Sequence, residues 1–346
     1  MICQRCGAGL PAGAKFCPEC GAPVVLASRQ HLSIPAEIAK RAENFAGRLW
    51  VLKEIIDWLE QRPERFFLIT GEPGCGKTAL AAWLAGAGPA PEEPAASGQL
   101  ERLRASWQAL HFCVAEDQRG SLSPSRFAQV LARQLSDRFD DYALAVLQRI
   151  APEINIAQQA RENWGQMIGA QINTLIVNAD AEDVYNRTVR EPLEALFNHQ
   201  PSLQVLILVD ALDEALTAGR SNIVTLLAGS NDLPSGVRFV LTSRNEPKVI
   251  DRFRHKRWLN ISSTKYTSDG DKDVRAYVEM RMNEESIKGQ VAAIGSPEEA
   301  SNQLVQQAAG NFLYVKFLLD DVAGGRPLLT GTGGCLMACS GCTAPT

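Results

Sequence analysis

Residues 66–84 read FFLITGEPGCGKTALAAWL, and this stretch decides the fold of the chain. The run Phe66–Thr70 predicts a buried strand, and the Ala- and Leu-rich residues after Thr78 predict a helix. The eight residues between them, Gly71–Thr78, follow the pattern G-x-x-x-x-G-K-T. Glycines let the backbone N–H groups of such a loop curl around phosphate oxygens, and the helix N-terminus adds positive potential. The stretch therefore predicts a phosphate-binding loop between a strand and a helix.

Two polar residues of this loop have expected roles in binding a nucleotide. Lys77 is expected to reach the β- and γ-phosphates, and Thr78 to coordinate Mg²⁺. Cys75 is interpreted as a small residue that fills the loop. The residues expected to surround the phosphates are Gly71, Glu72, Pro73, Gly74, Cys75, Gly76, Lys77 and Thr78.

A second stretch, VLILVDALDEA over residues 205–215, places three carboxylates directly after an apolar run. In P-loop proteins a second strand ends in an aspartate that helps to hold Mg²⁺, and Asp210 has this position. A further acid one turn on would orient or deprotonate the attacking water, and Asp213 and Glu214 are the candidates. In the competing interpretation, one of these two acids only caps the following helix.

Apolar runs that alternate with helical stretches predict an α/β fold, a mostly parallel sheet flanked by helices. The predicted strands are Phe66–Thr70, Ala109–Val114, Gln204–Val209, Val237–Thr242 and Arg257–Ile261. A helix is predicted over Leu49–Glu60, and a flexible loop over Gly86–Gly98 because it is rich in Pro, Ala, Gly and Glu. After Tyr266 the apolar residues recur at helical spacing, which predicts a small helical subdomain.

Four cysteines near the N-terminus form two pairs with the spacing of a metal site. Cys3 and Cys6 form one C-x-x-C pair, and Cys17 and Cys20 form a second pair ten residues later. Four thiolates suit a structural, tetrahedral Zn²⁺ site, and the metal would supply the folding free energy of so short a segment. Disulfides or free thiols are the alternative. The stretch resembles the short zinc ribbons at the N-termini of many prokaryotic proteins.

The acid motif VDALDE, residues 209–214, resembles that of the NACHT-type branch of the STAND nucleotide switches. Three further segments are similar to this family: Phe45–Arg48 before the phosphate loop, Val240–Arg244 as a sensor strand, and Gly310–Lys316 in a small lid subdomain. The resemblance implies that Arg48 touches the nucleotide. It also implies that Arg244 approaches the γ-phosphate.

Together these patterns predict five parts: a zinc ribbon (1–26), a linker (27–44), a NACHT-like P-loop NTPase domain (45–265), a helical lid (266–323) and a disordered tail (324–346). The resemblance implies a signal-transduction switch that binds ATP, hydrolyses it slowly to ADP, and changes conformation to assemble or to meet a protein partner. ATP is preferred over GTP because no N-K-x-D segment follows a later strand. Since STAND proteins usually continue into a winged helix, we expect a truncated member or a natural short form.

Composition and charge limit the cellular compartment and the kinds of partner that we expect for this chain. The net charge of −4 argues against nonspecific coating of nucleic acid, and no apolar run is long enough to predict a membrane span. The N-terminus lacks the pattern of a secretory signal, so we expect a cytoplasmic location. The nine cysteines are then expected to be metal ligands or free thiols.

Two other classes of function stay open. One is a nucleic-acid-targeting ATPase whose zinc ribbon does the binding, and its support is limited to Arg5, Lys15, Phe16 and Arg29. The other is a non-hydrolysing, truncated interaction module that keeps the ribbon as a docking element. Salt-dependent binding of nucleic acid by the N-terminal residues would favour the first class. A zinc-bound chain that binds no nucleotide would favour the second.

Overall fold

The computed structural model describes residues 32–115, 120–150, 179–219, 221–294 and 296–325, together with residues 19, 168, 171–173, 328–330 and 336–338. The chain divides into two compact units, Met1–Leu32 and Ser33–Thr346. Every helix and strand given below belongs to the second unit. The predicted zinc ligands Cys3, Cys6, Cys17 and Cys20 lie outside the described residues.

A five-stranded parallel sheet forms the centre of the second unit. Its strands are β1 (Phe66–Thr70), β2 (Trp107–Phe112), β3 (Val205–Asp210), β4 (Val237–Ser243) and β5 (Lys256–Asn260). They lie in the order β2-β3-β4-β1-β5, and each neighbouring pair is parallel. Strands β1, β3 and β4 are buried along their whole length, as expected for a parallel sheet covered on both faces. The predicted α/β fold with a parallel sheet is confirmed.

Helices flank this sheet and then continue beyond it in a group of their own. Those in the sheet region are α1 (Ala36–Ala39), α2 (Leu49–Gln61), α3 (Lys77–Ala85), α4 (Pro94–Ser106), α5 (Pro124–Ser136), α6 (Asp140–Ile150), α7 (Ala181–Tyr185), α8 (Glu191–His199), α9 (Ile223–Ala228) and α10 (Pro247–Ile250). The later group is α11 (Thr267–Met282), α12 (Glu285–Ile294), α13 (Pro297–Ala308) and α14 (Phe312–Ala323). Within the described residues, no helix is both long and apolar enough to span a membrane.

Two hydrophobic cores correspond to these two groups of helices. The larger core packs side chains of β1, β3 and β4 against α5–α8, and Phe66 in it stacks on Phe239 and meets Phe253 edge to face. The smaller core lies among α11–α14 and contains Val274, Val278 and Leu319. We call these four helices the lid helices.

Three segments differ from what their composition predicts. The prediction of a loop over Gly86–Gly98 is wrong for its last residues, because α4 starts at Pro94. Proline favours the first turn of a helix, and Ala96 and Leu100 are buried on its inner face. The expected linker contains α1 and the 3₁₀ turn Lys40–Ala42. In the tail that was expected to be disordered, Leu328–Thr330 (β6) pairs antiparallel with Leu336–Ala338 (β7), because backbone pairing needs no apolar period.

Candidate functional site

The loop Gly71–Thr78 joins β1 to the N-terminus of α3. Gly74 and Gly76 have φ angles of +81° and +88°, which glycine adopts without strain. Among the described residues, no side chain caps α3 at Gly76, so the N–H groups of its first turn are left for another acceptor. The Lys77 ammonium group donates hydrogen bonds to the carbonyl oxygens of Gly71 (2.8 Å) and Glu72 (2.9 Å). A cavity of about 900 Å³ opens beside this helix start, and residues 73–79 line it.

Asp210 ends β3 and is buried, with 1% of its surface exposed. Its Oδ1 accepts a hydrogen bond from the Thr242 hydroxyl of the neighbouring strand. Its Oδ2 is buried and has no hydrogen-bond partner within the described part of the chain. Burial raises the pKa of this carboxyl group, while the hydroxyls of Thr242 and Thr78 and the charges of Arg41 and Lys77 oppose the rise. A buried carboxyl group that interacts with the Thr78 hydroxyl, and one oxygen of which has no partner within the described residues, fits a ligand of Mg²⁺.

The three residues predicted to be catalytic lie together and bind one another. The backbone N–H of Arg244 donates to Asp213 Oδ1 (2.9 Å), and its Nε lies 3.1 Å from Asp213 Oδ2. A second nitrogen of the guanidinium group lies 3.1 Å from Glu214 Oε1. Asp213 precedes the 3₁₀ turn Glu214–Ala218, but its side chain makes no capping hydrogen bond there. The structure therefore gives Asp213 an arginine partner in place of the capping role.

Arg48 is almost fully buried and connects the loop to the lid helices. One guanidinium nitrogen donates to the Cys75 carbonyl oxygen (2.8 Å), and another lies 3.4 Å from Asp273 Oδ2 in α11. The backbone N–H of Arg48 donates to Asp273 Oδ1 (2.7 Å), and its guanidinium carbon lies 5.1 Å from the centre of the Phe312 ring. Burial lowers the pKa of Arg48 and raises that of Asp273, and the attraction between the two charges opposes both shifts. The hydrogen bonds of Arg48 therefore go to protein groups.

The lid helices also contact the loop directly through the start of α14. The backbone N–H of Leu313 donates to the Gly74 carbonyl oxygen (3.2 Å). Asn311 caps α14, since its Oδ1 accepts from the N–H groups of Leu313 (3.0 Å) and Tyr314 (3.2 Å). A Cβ atom added at Gly74 would lie 2.3 Å from Asn311 Oδ1. Glycine at this position thus permits both the positive φ angle and the close approach of α14.

Glu72 and Cys75 have structural contacts around the loop. Glu72 Oε1 accepts from the Asn245 side chain (2.8 Å), and the Glu72 N–H donates to Ser262 Oγ (3.0 Å). These bonds tie the start of the loop to the segments that follow β4 and β5. Cys75 is a buried free thiol, as expected for a residue that fills the loop.

Several residues of this site were missed by reasoning from the sequence. Thr242 could have been found, because it is a polar residue in a buried strand whose neighbour ends in an aspartate. Asp273 and Asn311 carry no local signal, since their partners Arg48 and Gly74 lie far away in the sequence. Arg41 lies in the predicted linker, yet it lines the cavity.

Two family models match parts of the chain. The family described as nephrocystin 3, N-terminal, matches residues 48–186, which include the loop and α3 but make up less than half of the chain. The family described as zinc-ribbon domain matches residues 2–24, and this range contains all four predicted zinc ligands. No curated protein matches the chain.

Proposed function

We propose that the second unit is a STAND/NACHT-like switch that binds ATP with Mg²⁺ and hydrolyses it slowly. The proposal rests on the buried Oδ2 of Asp210, which has no hydrogen-bond partner among the residues that the structure describes. It lies at the carboxyl edge of a parallel sheet, where ligands of open α/β sheets bind. The uncapped start of α3, Lys77 and Thr78 line the cavity at the same edge.

The residues of the chain would divide the work of nucleotide binding between them. The first-turn N–H groups of α3 would donate to phosphate oxygens, and Lys77 would exchange its two carbonyl acceptors for phosphate. Thr78 and Asp210 would hold Mg²⁺, which neutralises phosphate charge when bound. Leu313 and Phe317 line the cavity with 45% and 62% of their surfaces exposed, and this apolar surface would cover the base.

The ion pairs of Arg244 support slow hydrolysis. Asp213 and Glu214 are the candidates for orienting the attacking water, and both bind Arg244. Arg244 has to leave these acids before its guanidinium group can approach a γ-phosphate. The side chain is 56% exposed, so this movement meets little steric resistance. Hydrolysis then requires a rearrangement in addition to binding.

The contacts between the loop and the lid helices support a conformational switch. Arg48 bonds to Cys75 and Asp273, and Gly74 bonds to Leu313, so both contacts join the loop to the lid helices. A change in the loop on nucleotide exchange would therefore shift the lid helices. Exposure of a surface for assembly or for a protein partner would follow from that shift.

Calorimetric titration of the full chain, freed of co-purified nucleotide, with ATP and ADP in the presence and absence of Mg²⁺ tests this function. We expect binding that Lys77→Ala abolishes and that loses its Mg²⁺ dependence in Asp210→Ala. Asp213→Asn should bind ATP like the parent and turn it over more slowly. Lys53→Ala, an exposed substitution outside the cavity, is the matched control. Equal affinity of the parent and Lys77→Ala for ATP would refute the assignment of the site.

The zinc-ribbon match supports a second candidate function for the first unit. We propose that Cys3, Cys6, Cys17 and Cys20 bind one structural Zn²⁺ and form a docking element. Fluorescence anisotropy with DNA and RNA oligonucleotides at several salt concentrations distinguishes a nucleic-acid partner from a protein partner. Binding that weakens steeply with salt would identify nucleic acid, and no binding would leave a protein partner.

A further inference from the structure

The turn Lys40–Ala42 brings two cations to the cavity beside the phosphate loop. Lys40 and Arg41 both line this cavity, although they precede every sequence motif of the site. Both side chains are exposed. Neither side chain makes a hydrogen bond or an ion pair with another residue that the structure describes.

The backbone that carries Arg41 is held firmly on both sides of it. Ile38 and Ala42 are buried, with 2% and 0% of their surfaces exposed. A Cβ atom added at Gly88 would lie 2.1 Å from the Ala42 carbonyl oxygen, so the turn packs closely on the chain that follows α3. The position of Arg41 at the cavity is thus fixed by packing, while its guanidinium group stays available.

Lys77 also lines the cavity, and its ammonium group donates to the carbonyl oxygens of Gly71 and Glu72. The remaining cations of the lining are bound to acids. Arg244 binds Asp213 and Glu214, and Arg48 binds Asp273. In the lid helices, Arg281 and Lys316 both bind Asp320. Within the described residues, Arg41 and Lys40 are therefore the cavity cations whose side chains have neither an acidic partner nor a backbone carbonyl as acceptor.

Arg41 lines the same cavity as Lys77 and Thr78, the first two residues of α3. Lys40 lines it as well, but its ammonium group is a point charge that lacks the planar fork of a guanidinium group. Asp210 and Thr78 mark the end of the loop where the terminal phosphate and Mg²⁺ of a nucleoside triphosphate bind in P-loop proteins.

We propose that Arg41 binds the terminal phosphate of a nucleoside triphosphate from within the same chain. This inference rests on the proposed nucleotide-binding function. A guanidinium group presents a planar fork of N–H donors that matches phosphate oxygens and keeps its charge at any working pH. Arg41 then supplies the contact with the third phosphate while Arg244 is held by its acids. The chain thereby distinguishes a triphosphate from a diphosphate before hydrolysis begins.

The test compares the affinities of the full chain for the β,γ-imido analogue of ATP and for ADP, both with Mg²⁺, by calorimetry. Arg41→Ala should weaken binding of the analogue by about 10- to 100-fold, the usual range for loss of a charged hydrogen bond. Its affinity for ADP should stay within about twofold of the parent. Arg41→Lys, which keeps the charge but lacks the fork, should give an intermediate loss.

Arg62→Ala is the matched control, because it removes one exposed arginine outside the cavity and should leave both affinities unchanged. Unchanged binding of the analogue by Arg41→Ala would overturn the assignment, and so would an equal loss for analogue and ADP. If the parent, freed of co-purified nucleotide, binds neither nucleotide, the proposed function fails and this inference fails with it. A melting temperature for each variant, equal to that of the parent, excludes misfolding as the cause of a loss.

Discussion

The buried pair of Arg48 and Asp273 gives the sharpest test of how the loop and the lid helices are joined. We predict that Arg48→Met destabilises the chain because it removes the guanidinium group and leaves the Asp273 carboxylate buried without its charge partner. Methionine keeps much of the aliphatic stem, and both residues carry a similar cost for the positive φ of 62° at this position. The substitution therefore isolates the charge and its hydrogen bonds.

The magnitude follows from the burial of the two side chains, which are 3% and 8% exposed. Removal of one member of a buried ion pair costs about 3–5 kcal/mol. Asp273 keeps the Arg48 backbone N–H and the Trp50 indole N–H at 2.9 Å, so the lower end, about 3 kcal/mol, is expected. For a unit of this size the loss corresponds to a fall of about 5–10 °C in melting temperature.

A double-mutant cycle measured by urea unfolding in nucleotide-free buffer checks this value. The cycle combines Arg48→Met with Asp273→Asn, and we expect a coupling energy of about 1–3 kcal/mol. Arg257→Met is the matched control, because Arg257 pairs with Glu54 at 2.7 Å with side chains 33% and 30% exposed. A partly exposed pair contributes about 1 kcal/mol or less. The reasoning would be refuted by a coupling energy below about 0.5 kcal/mol in a variant that keeps its stability but binds ATP more weakly. Arg48 would then bind the nucleotide and not Asp273.

Three further predictions concern Asp210, Arg244 and the zinc site. Because burial raises the pKa of Asp210, its charged form destabilises the fold as pH rises above the ordinary range of a carboxyl group. Asp210→Asn should therefore raise the melting temperature at pH 7 in EDTA. It should also abolish the increase in melting temperature that Mg²⁺ with ATP causes in the parent. A melting temperature in EDTA below that of the parent would contradict this prediction. Arg244→Ala should leave the affinity for ADP unchanged and alter the rate of ATP turnover. An equal loss of ADP affinity and of ATP turnover would contradict a role at the γ-phosphate. Metal analysis should find one Zn²⁺ per chain in the parent and none in Cys6→Ser. Equal zinc contents of the parent and the variant would exclude the thiolate site.

The position of the loop Gly71–Thr78 between β1 and α3, and that of Asp210 at the end of β3, could be predicted because their signals are local in the sequence. Glycine spacing after an apolar run and an acid at a strand end depend on a few neighbouring residues. The parallel sheet also followed from such runs, since strands buried on both faces are apolar along their length. These features reach the same edge of the sheet because all strands run in one direction.

The contacts that join the loop to the lid helices could not be predicted in the same way. Arg48 and Asp273 lie 225 residues apart, so no local pattern connects them. Arg41 was hidden because only Ile38 and Ala42 are buried in its short segment, too few for a helical period. The start of α4 was hidden by Pro94, which reads as a loop residue although it favours the first turn of a helix.

Release of bound nucleotide from freshly purified protein tests the central proposal most directly. The full chain is denatured, and the nucleotide in the supernatant is identified by chromatography and counted per mole of chain. We predict near-stoichiometric ADP from the parent and none from Lys77→Ala. A parent chain that releases no nucleotide, and that then fails to bind added ATP or ADP with Mg²⁺, would contradict the proposal that it is a nucleotide switch.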